Sequence, residues 1–418
     1  MPEVREYAGL HEYDGQVQDL SPSGVTAAIG RLGQGPSEPN PHDEAHLRAA
    51  EQGIRTALDV VEEHRRNPLV HIANLDLASY DREYAPEPER QEARRRHLAA
   101  WPDAVDGALE SLDRVPAPVA RALLPAARGL GAGLELDHVT SATGSDAAAT
   151  EQELTRAKEA HARFVQHIEG ISDTGAPQIA IGAHQLASLM GDAEGIPLDL
   201  GRLAARADAE RDRVRELLVD ACARLRPGAK PSELLAELVA DHPGPEGIAE
   251  EARALIAEST AFVLERDLLG DPGGECRVGP APPSRRWAMA MMSWTAPFEA
   301  DAPAWYYVNP PDPAWSAEER EEWLAVFSRT TLPAITVHEV TPGHYAHGRM
   351  LRGLDSDVRR ILFSSAFVEG WALYAESLGP QLGLYTEPNQ YFSRLNSELF
   401  RAVRLVVDVG LHLSLIHI

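Results

Sequence analysis

The chain has 418 residues, 44% of them hydrophobic, and a formal net charge of −25. Such a chain can bury a large core, while its acidic balance repels nucleic acid and anionic membranes and so excludes both as expected partners. Cys222 and Cys276 are the only cysteines, too few for a disulfide framework or a cysteine-type zinc site. The N-terminus MPEVREYAGLHEYDG has no basic stretch followed by an apolar core, and nowhere do eighteen apolar residues run together, so a cytoplasmic protein is expected.

Residues 1–41 are rich in Gly, Pro, Ser and acids and read as an extended lead-in with at most one short helix. From Asp43 to Arg66 the residues Leu47, Ala50, Ile54, Leu58 and Val61 recur at helical spacing, and Asn67-Pro68 ends the pattern. The stretch 69–84 alternates too irregularly for a strand and reads as a loop. Helices are expected over 86–112 with a break at Pro102, over 116–130, over 146–169 with Gly170 just past the end, and over 178–190. The clearest amphipathic helix covers 197–225, where Leu203, Ala207, Val214, Leu218, Ala221 and Leu225 share a stripe. Another covers 245–269. With no repeat and no G-x-G-x-x-G loop, residues 42–270 read as a helical scaffold.

The composition changes after residue 270. The aromatic and Met-rich segment 287–309 is the best candidate for extended structure in a mostly α chain. Trp305 to Asn309 would form an edge strand that binds a peptide backbone, with Tyr306 and Tyr307 lining the cleft; core aromatics are an equal alternative. Beyond it, Ser316 and Glu319 have capping-box spacing for a helix over 316–330. Further helices are expected from Pro333, over 356–378 and over 387–412, so that 271–412 forms a metal-site region integrated with the scaffold in one domain. The tail LSLIHI, 413–418, lacks a capping residue and reads as a truncation point or scar, so His417 is not counted as a ligand.

The centre of this region is AITVHEVTPGHYAHGRM, residues 334–350. A His-Glu pair followed by a second His offers two imidazoles to a zinc ion and a carboxylate to a water. The spacing here is six rather than four, which on a regular helix places His344 about 240° away from His338. Pro342 cannot donate to the carbonyl of His338 and Gly343 bends freely, so a kink or bulge there would swing His344 back. Thirty residues beyond Glu339, Glu369 stands among Phe367, Val368, Trp371 and Leu373, where a carboxylate is costly unless paired or metal-bound. Glu376, two helical turns on, is read rather as a capping or solvated residue, with a secondary possibility that it or Asp408 holds a ligand histidine.

HEVTPGH, FVEGWALYAE and RAVRLVVDVGLH together resemble the family DUF885, helical bacterial proteins that carry an HExxPGH motif and are similar to zinc metallopeptidases. That resemblance implies His338, His344 and Glu369 as zinc ligands and Glu339 as general base. Where the family often has a second His after PGH, this chain has Tyr345. Arg401, Arg404, Asp408 and His412 form a polar stripe at spacings of three and four; if it faces the cleft, Arg404 would bind a substrate carboxylate. Tyr345, His347 and His412 are then candidate oxyanion donors.

The expectation is a multi-helix, metallopeptidase-like bundle that uses Zn²⁺ to cleave a peptide or small amide. The alternatives are a zinc amidase acting on a non-peptide bond and an inactive helical protein that binds a peptide or partner.

Overall fold

Helix starts in this chain are written as a capping side chain followed by proline. Ser21, Asn40 and Asn67 each accept a hydrogen bond from a backbone N–H in the first turn of their helix, and Pro22, Pro41 and Pro68 stand at its start, where a missing N–H costs nothing. The computed structural model describes residues 2–134, 147–362, 364–384 and 386–416. Over these it is mostly α-helical, with one three-stranded sheet.

The scaffold helices follow the sequence pattern closely. The long amphipathic helix spans Leu200–Leu225, and the pattern over 245–269 forms Ile248–Glu265. Trp101 opens a new helix after Glu87–Ala99, so the break falls at residue 100, beside Pro102. Ser316 and Glu319 form the expected capping box.

Several elements differ from the sequence reading. The stretch 69–84 contains a helix, Pro68–Leu75, whose residues Pro68, His71, Ile72, Asn74 and Leu75 are all buried; buried on most of its circumference, it shows no amphipathic stripe. The helix Ala147–Thr174 runs through Gly170, whose position is open enough to need no turn. Asp146, the expected start of that helix, lies outside the described residues. Pro231–Val239 is a helix that the pattern did not single out. The expected helix over 178–190 begins later, at Ala183. In the tail, Ser414 takes a left-handed conformation (φ 56°) and Ile416 comes to lie against Gly410; His417 lies outside the described residues.

The lead-in is not extended. Pro2–Ala8 and Pro22–Arg31 are helices, and the Arg5 guanidinium donates to the carbonyls of Tyr13 and Gln16. His11 stacks on Tyr84 with ring centroids 3.7 Å apart and bridges Asp14 and Glu299, each at 3.1 Å. Glu299 is itself buried and gripped by both terminal nitrogens of Arg82. The N-terminal segment is thereby tied to the region before the third strand.

The sheet has the order β1-β3-β2, with β1 Cys276–Gly279, β2 Ala290–Ser293 and β3 Ala304–Val308. β1 runs parallel to β3, pairing Cys276 with Ala304, and β2 runs antiparallel, pairing Ala290 with Val308. Ala304, Tyr306 and Val308 join Ile248, Phe327, Leu332, Val340 and Tyr345 in one apolar cluster, so one face of the sheet packs against the helix that begins the motif. A second cluster around Trp101, Phe164 and Ile168 forms the N-terminal core. A third locks the 200–225 helix to the last helix through Val214, Leu218, Phe392 and Leu395.

His11 gives a test of the N-terminal tie. Burial disfavours its charged ring, but the bonds to Asp14 and Glu299 outweigh burial and hold its pKa at about 9. A histidine pKa raised on folding stabilises the protein fully below the unfolded value of about 6.5, and that contribution fades as pH rises through about 9. His11→Gln is expected to cost on the order of 2 kcal/mol at pH 6 and clearly less at pH 9.5, measured by denaturant unfolding. A cost independent of pH would contradict the charged bridge.

Candidate metal centre

The motif does not form one kinked helix. Leu332–Glu339 and His344–Leu351 are separate helices joined by Val340–Gly343. The link folds back on the first helix: the Gly343 N–H donates to the Val337 carbonyl and that of Ala346 to the Val340 carbonyl, each spanning six residues. A Cβ on Gly343 would sit 1.8 Å from the His338 carbonyl oxygen and 2.4 Å from that of Val337. Only glycine allows so close an approach. Trp371 clamps the link from outside, its indole N–H donating to the Pro342 carbonyl at 2.8 Å.

This fold-back brings the two imidazoles together, with ring centroids 4.7 Å apart and planes at 83°. The third member comes from the helix Ser365–Leu382: Glu369 lies 3.5 Å from His338 Nε2 and 3.7 Å from His344 Nε2. Tetrahedral zinc with bonds of roughly 2.0–2.1 Å separates its ligand atoms by about 3.4 Å, so these separations suit a single ion. Among the described residues this is the one group of three such side chains close enough to hold a metal. The Glu369 side chain is 66% exposed, contrary to the buried position its apolar neighbours imply. Phe367, two residues earlier on the same helix, is exposed as well.

His338 Nδ1 is bonded to Glu376 at 2.8 Å. Glu376 is buried, not capping or solvated as its sequence context suggests, and Asp408 instead lies near Arg404 at 4.0 Å on the surface. The bond turns His338 Nε2 towards His344 and Glu369, the orientation by which a second partner fixes a metal-binding imidazole.

The electrostatics divide the motif residues by role. Burial disfavours charge on His338, but Glu369 and Glu376 overcome it and hold its pKa at about 9. Burial and the charge on His338 lower that of His344 to about 4. Glu339, buried beside them, is pushed up to about 7 by desolvation, with the attraction of His338 opposing and Glu369 adding to the rise. Among the described residues its Oε2 has no hydrogen-bond partner, nor do His344 Nδ1, His347 Nδ1 or Thr341 Oγ1. So many unmet buried polar atoms around one point leave capacity for an ion, water or substrate.

The remaining sequence candidates distribute unevenly. His347 is at the site, its ring edge-on to Phe367 at 5.5 Å and to Trp294 at 6.2 Å, with its pKa lowered by burial. Tyr345 is buried, and its hydroxyl donates to the Gly273 carbonyl, so it is already engaged and is not a free oxyanion donor. β3 is the central strand, which corrects the expected edge. Its pleat sends Tyr306 towards the motif helix and Tyr307 to the opposite face, where it stacks with Trp305; Tyr307 therefore lies behind the sheet rather than in the cleft. His412 stands eleven residues after Arg401, about 16 Å further along the helix, with its carbonyl accepting from Gly182; it is not brought to the metal cluster. Arg404 is 71% exposed. Arg401, from the same stripe, does reach the site, at 2.8 Å from Glu376.

Gly343→Ala is expected to abolish metal binding while leaving helical content near that of the wild type, as read by metal titration and circular dichroism. Unchanged metal affinity in that variant would contradict the fold-back.

No curated protein matches the chain. Two solved structures share its fold. One is described as a candidate lipoprotein of unknown function from Shewanella oneidensis, 19% identical, with a TM-score of 0.72 over 98% of this chain and 80% of that one. The other is a candidate lipoprotein from Colwellia psychrerythraea, 16% identical, with a TM-score of 0.68 over 98% and 82%. The profile of bacterial proteins of unknown function DUF885 matches residues 2–416, and the chain belongs to that family.

Proposed function

We propose that the chain is a zinc-dependent hydrolase that cleaves peptide bonds. The observation that carries this reading is the convergence of His338, His344 and Glu369 at ligand spacing beside Glu339, a buried carboxylate whose pKa is pushed to about 7. His338 and His344 would hold the ion through Nε2 and Glu369 through a carboxylate oxygen. Zinc held there supplies Lewis acidity, acidifying a water molecule and polarising a carbonyl.

The protein's own residues supply the proton transfers. With a pKa near the working pH, Glu339 is suited to take a proton from the attacking water at Oε2 and return it to the leaving nitrogen. Its position in a desolvated pocket is what raises its basicity into that range. His347, its pKa lowered by burial and its Nδ1 unpartnered among the described residues, is the side chain offered to a developing oxyanion.

A peptide is favoured over other amides because β2 is an edge strand lying against both helices of the motif. An extended backbone can add to such an edge through main-chain hydrogen bonds. Exposed Phe367, edge-on to His347, offers an apolar contact at the open side. Arg404, solvent-exposed on the terminal helix, is the cation that would meet a substrate carboxylate.

No helix among the described residues is long and apolar enough to cross a membrane. The names of the two solved neighbours point to the cell envelope, whereas the two free cysteines fit a reducing cytoplasm. Fractionation of the native cell distinguishes the two.

Glu339→Gln is expected to keep metal and fold yet lose about 10²–10⁴-fold in turnover, measured on a mixed peptide library with the zinc-loaded protein. Cleavage at the wild-type rate would remove Glu339 as the base. A zinc-loaded wild type that cleaves no peptide would contradict the peptidase reading and favour an amidase or a binding protein.

A further inference from the structure

We propose that Arg401 is a positioning residue of the metal centre, acting through Glu376 on His338. The inference rests on the metal reading of the cluster and extends it to a residue outside the motif, on the helix Pro388–His412.

The connection is a continuous chain of hydrogen bonds. Arg401 approaches Glu376 with both terminal nitrogens, at 2.8 Å to Oε1 and 3.4 Å to Oε2. The same Oε1 lies 2.8 Å from His338 Nδ1, and the other ring nitrogen of His338 faces Glu369 and the metal position. The Glu376 side chain is 2% exposed and, among the described residues, makes no other side-chain hydrogen bond that would fix its plane. A two-pronged guanidinium sets the rotation of a carboxylate as a single bond cannot.

Without Arg401 the buried carboxylate keeps its rotamer only through the imidazole it is meant to orient. The guanidinium thus makes Glu376 a fixed reference rather than a follower of His338. Its own position is set from the scaffold side. Phe392 and Leu395 lock this helix to the 200–225 helix, Arg394 bonds Glu398 one turn before Arg401, and Ser393 bonds Thr330 just before the motif helix. Through Arg401 the packing of the scaffold reaches a ligand nitrogen, and no residue of the HEVTPGH segment makes that link.

The test uses Co²⁺ as probe on the full chain, read by its visible absorption and by competition with a chelator. Arg401→Ala is expected to weaken Co²⁺ binding about 10–100-fold, the usual effect of removing an outer partner of a ligand, and to alter the absorption band. Arg401→Lys keeps the charge but loses the fork, and is expected to restore affinity only in part. Glu376→Gln combined with Arg401→Ala is expected to be no weaker than Glu376→Gln alone, because both changes break one chain. Thermal unfolding of the metal-free variants identifies any that fail to fold, and Arg401→Gln replaces Arg401→Ala in that case.

Co²⁺ binding by folded Arg401→Ala within twofold of the wild type, with the same band, would overturn the proposal and leave the metal site standing. Additive losses in the double variant would also overturn it, since Arg401 would then act by another route. A folded wild type that takes up no Co²⁺ would overturn the metal reading itself, and this inference with it.

Discussion

The site depends on the contact between the Gly343 backbone and the carbonyl of His338. Where a regular helix would carry His344 to the far side, the chain ends one helix at Glu339, folds four residues back over its last turn, and starts another at His344. The space at Gly343 excludes any Cβ, so this reversal is available to one residue type. Pro342 contributes by lacking the N–H that would continue the first helix, and by giving its carbonyl to Trp371. That bond joins the fold-back to the helix carrying Glu369, so His338, His344 and Glu369 are assembled by a single local reversal and one helix-to-helix clamp.

The surroundings of the cluster are costly in a way that suits function better than stability. Each buried polar atom without a partner costs about 1–3 kcal/mol, and four such atoms belong to Glu339, Thr341, His344 and His347. Glu339 adds a desolvated carboxylate. Elsewhere buried charges are paired closely: Glu299 has Arg82, His11 and a backbone N–H, and Arg285 has Glu6 and Asp76. Unpartnered buried polar atoms also occur elsewhere among the described residues, such as His64 Nδ1 and Trp101 Nε1, but at the motif they accompany a desolvated carboxylate, a combination that suits a binding site.

Much of this was legible in the sequence where the physics is local. The Leu200–Leu225 helix follows from its apolar stripe, and the Ser316 start from its capping box. The proximity of His338 and His344 follows from Pro342-Gly343, although the sequence suggested a bend in one helix rather than two helices. What escaped were features decided by tertiary docking. Glu376 and Asp408 are equally plausible partners for His338 on spacing, and only the packing of the last helix makes one buried and leaves the other in solvent. The sheet order is not encoded near β3, so its central place was invisible, although strict alternation already implied that Tyr306 and Tyr307 face opposite ways. Tyr345 could not be seen to spend its hydroxyl on Gly273, 72 residues earlier. The solvent-facing position of Glu369 was likewise hidden by its apolar neighbours.

The measurement that bears most directly on this account is the zinc content and zinc X-ray absorption spectrum of protein purified without chelator, compared with His338→Ala. The account predicts one zinc per chain, bound by two imidazoles and a carboxylate, and lost in the variant. A folded wild type without metal, or zinc retained equally by His338→Ala, would contradict it.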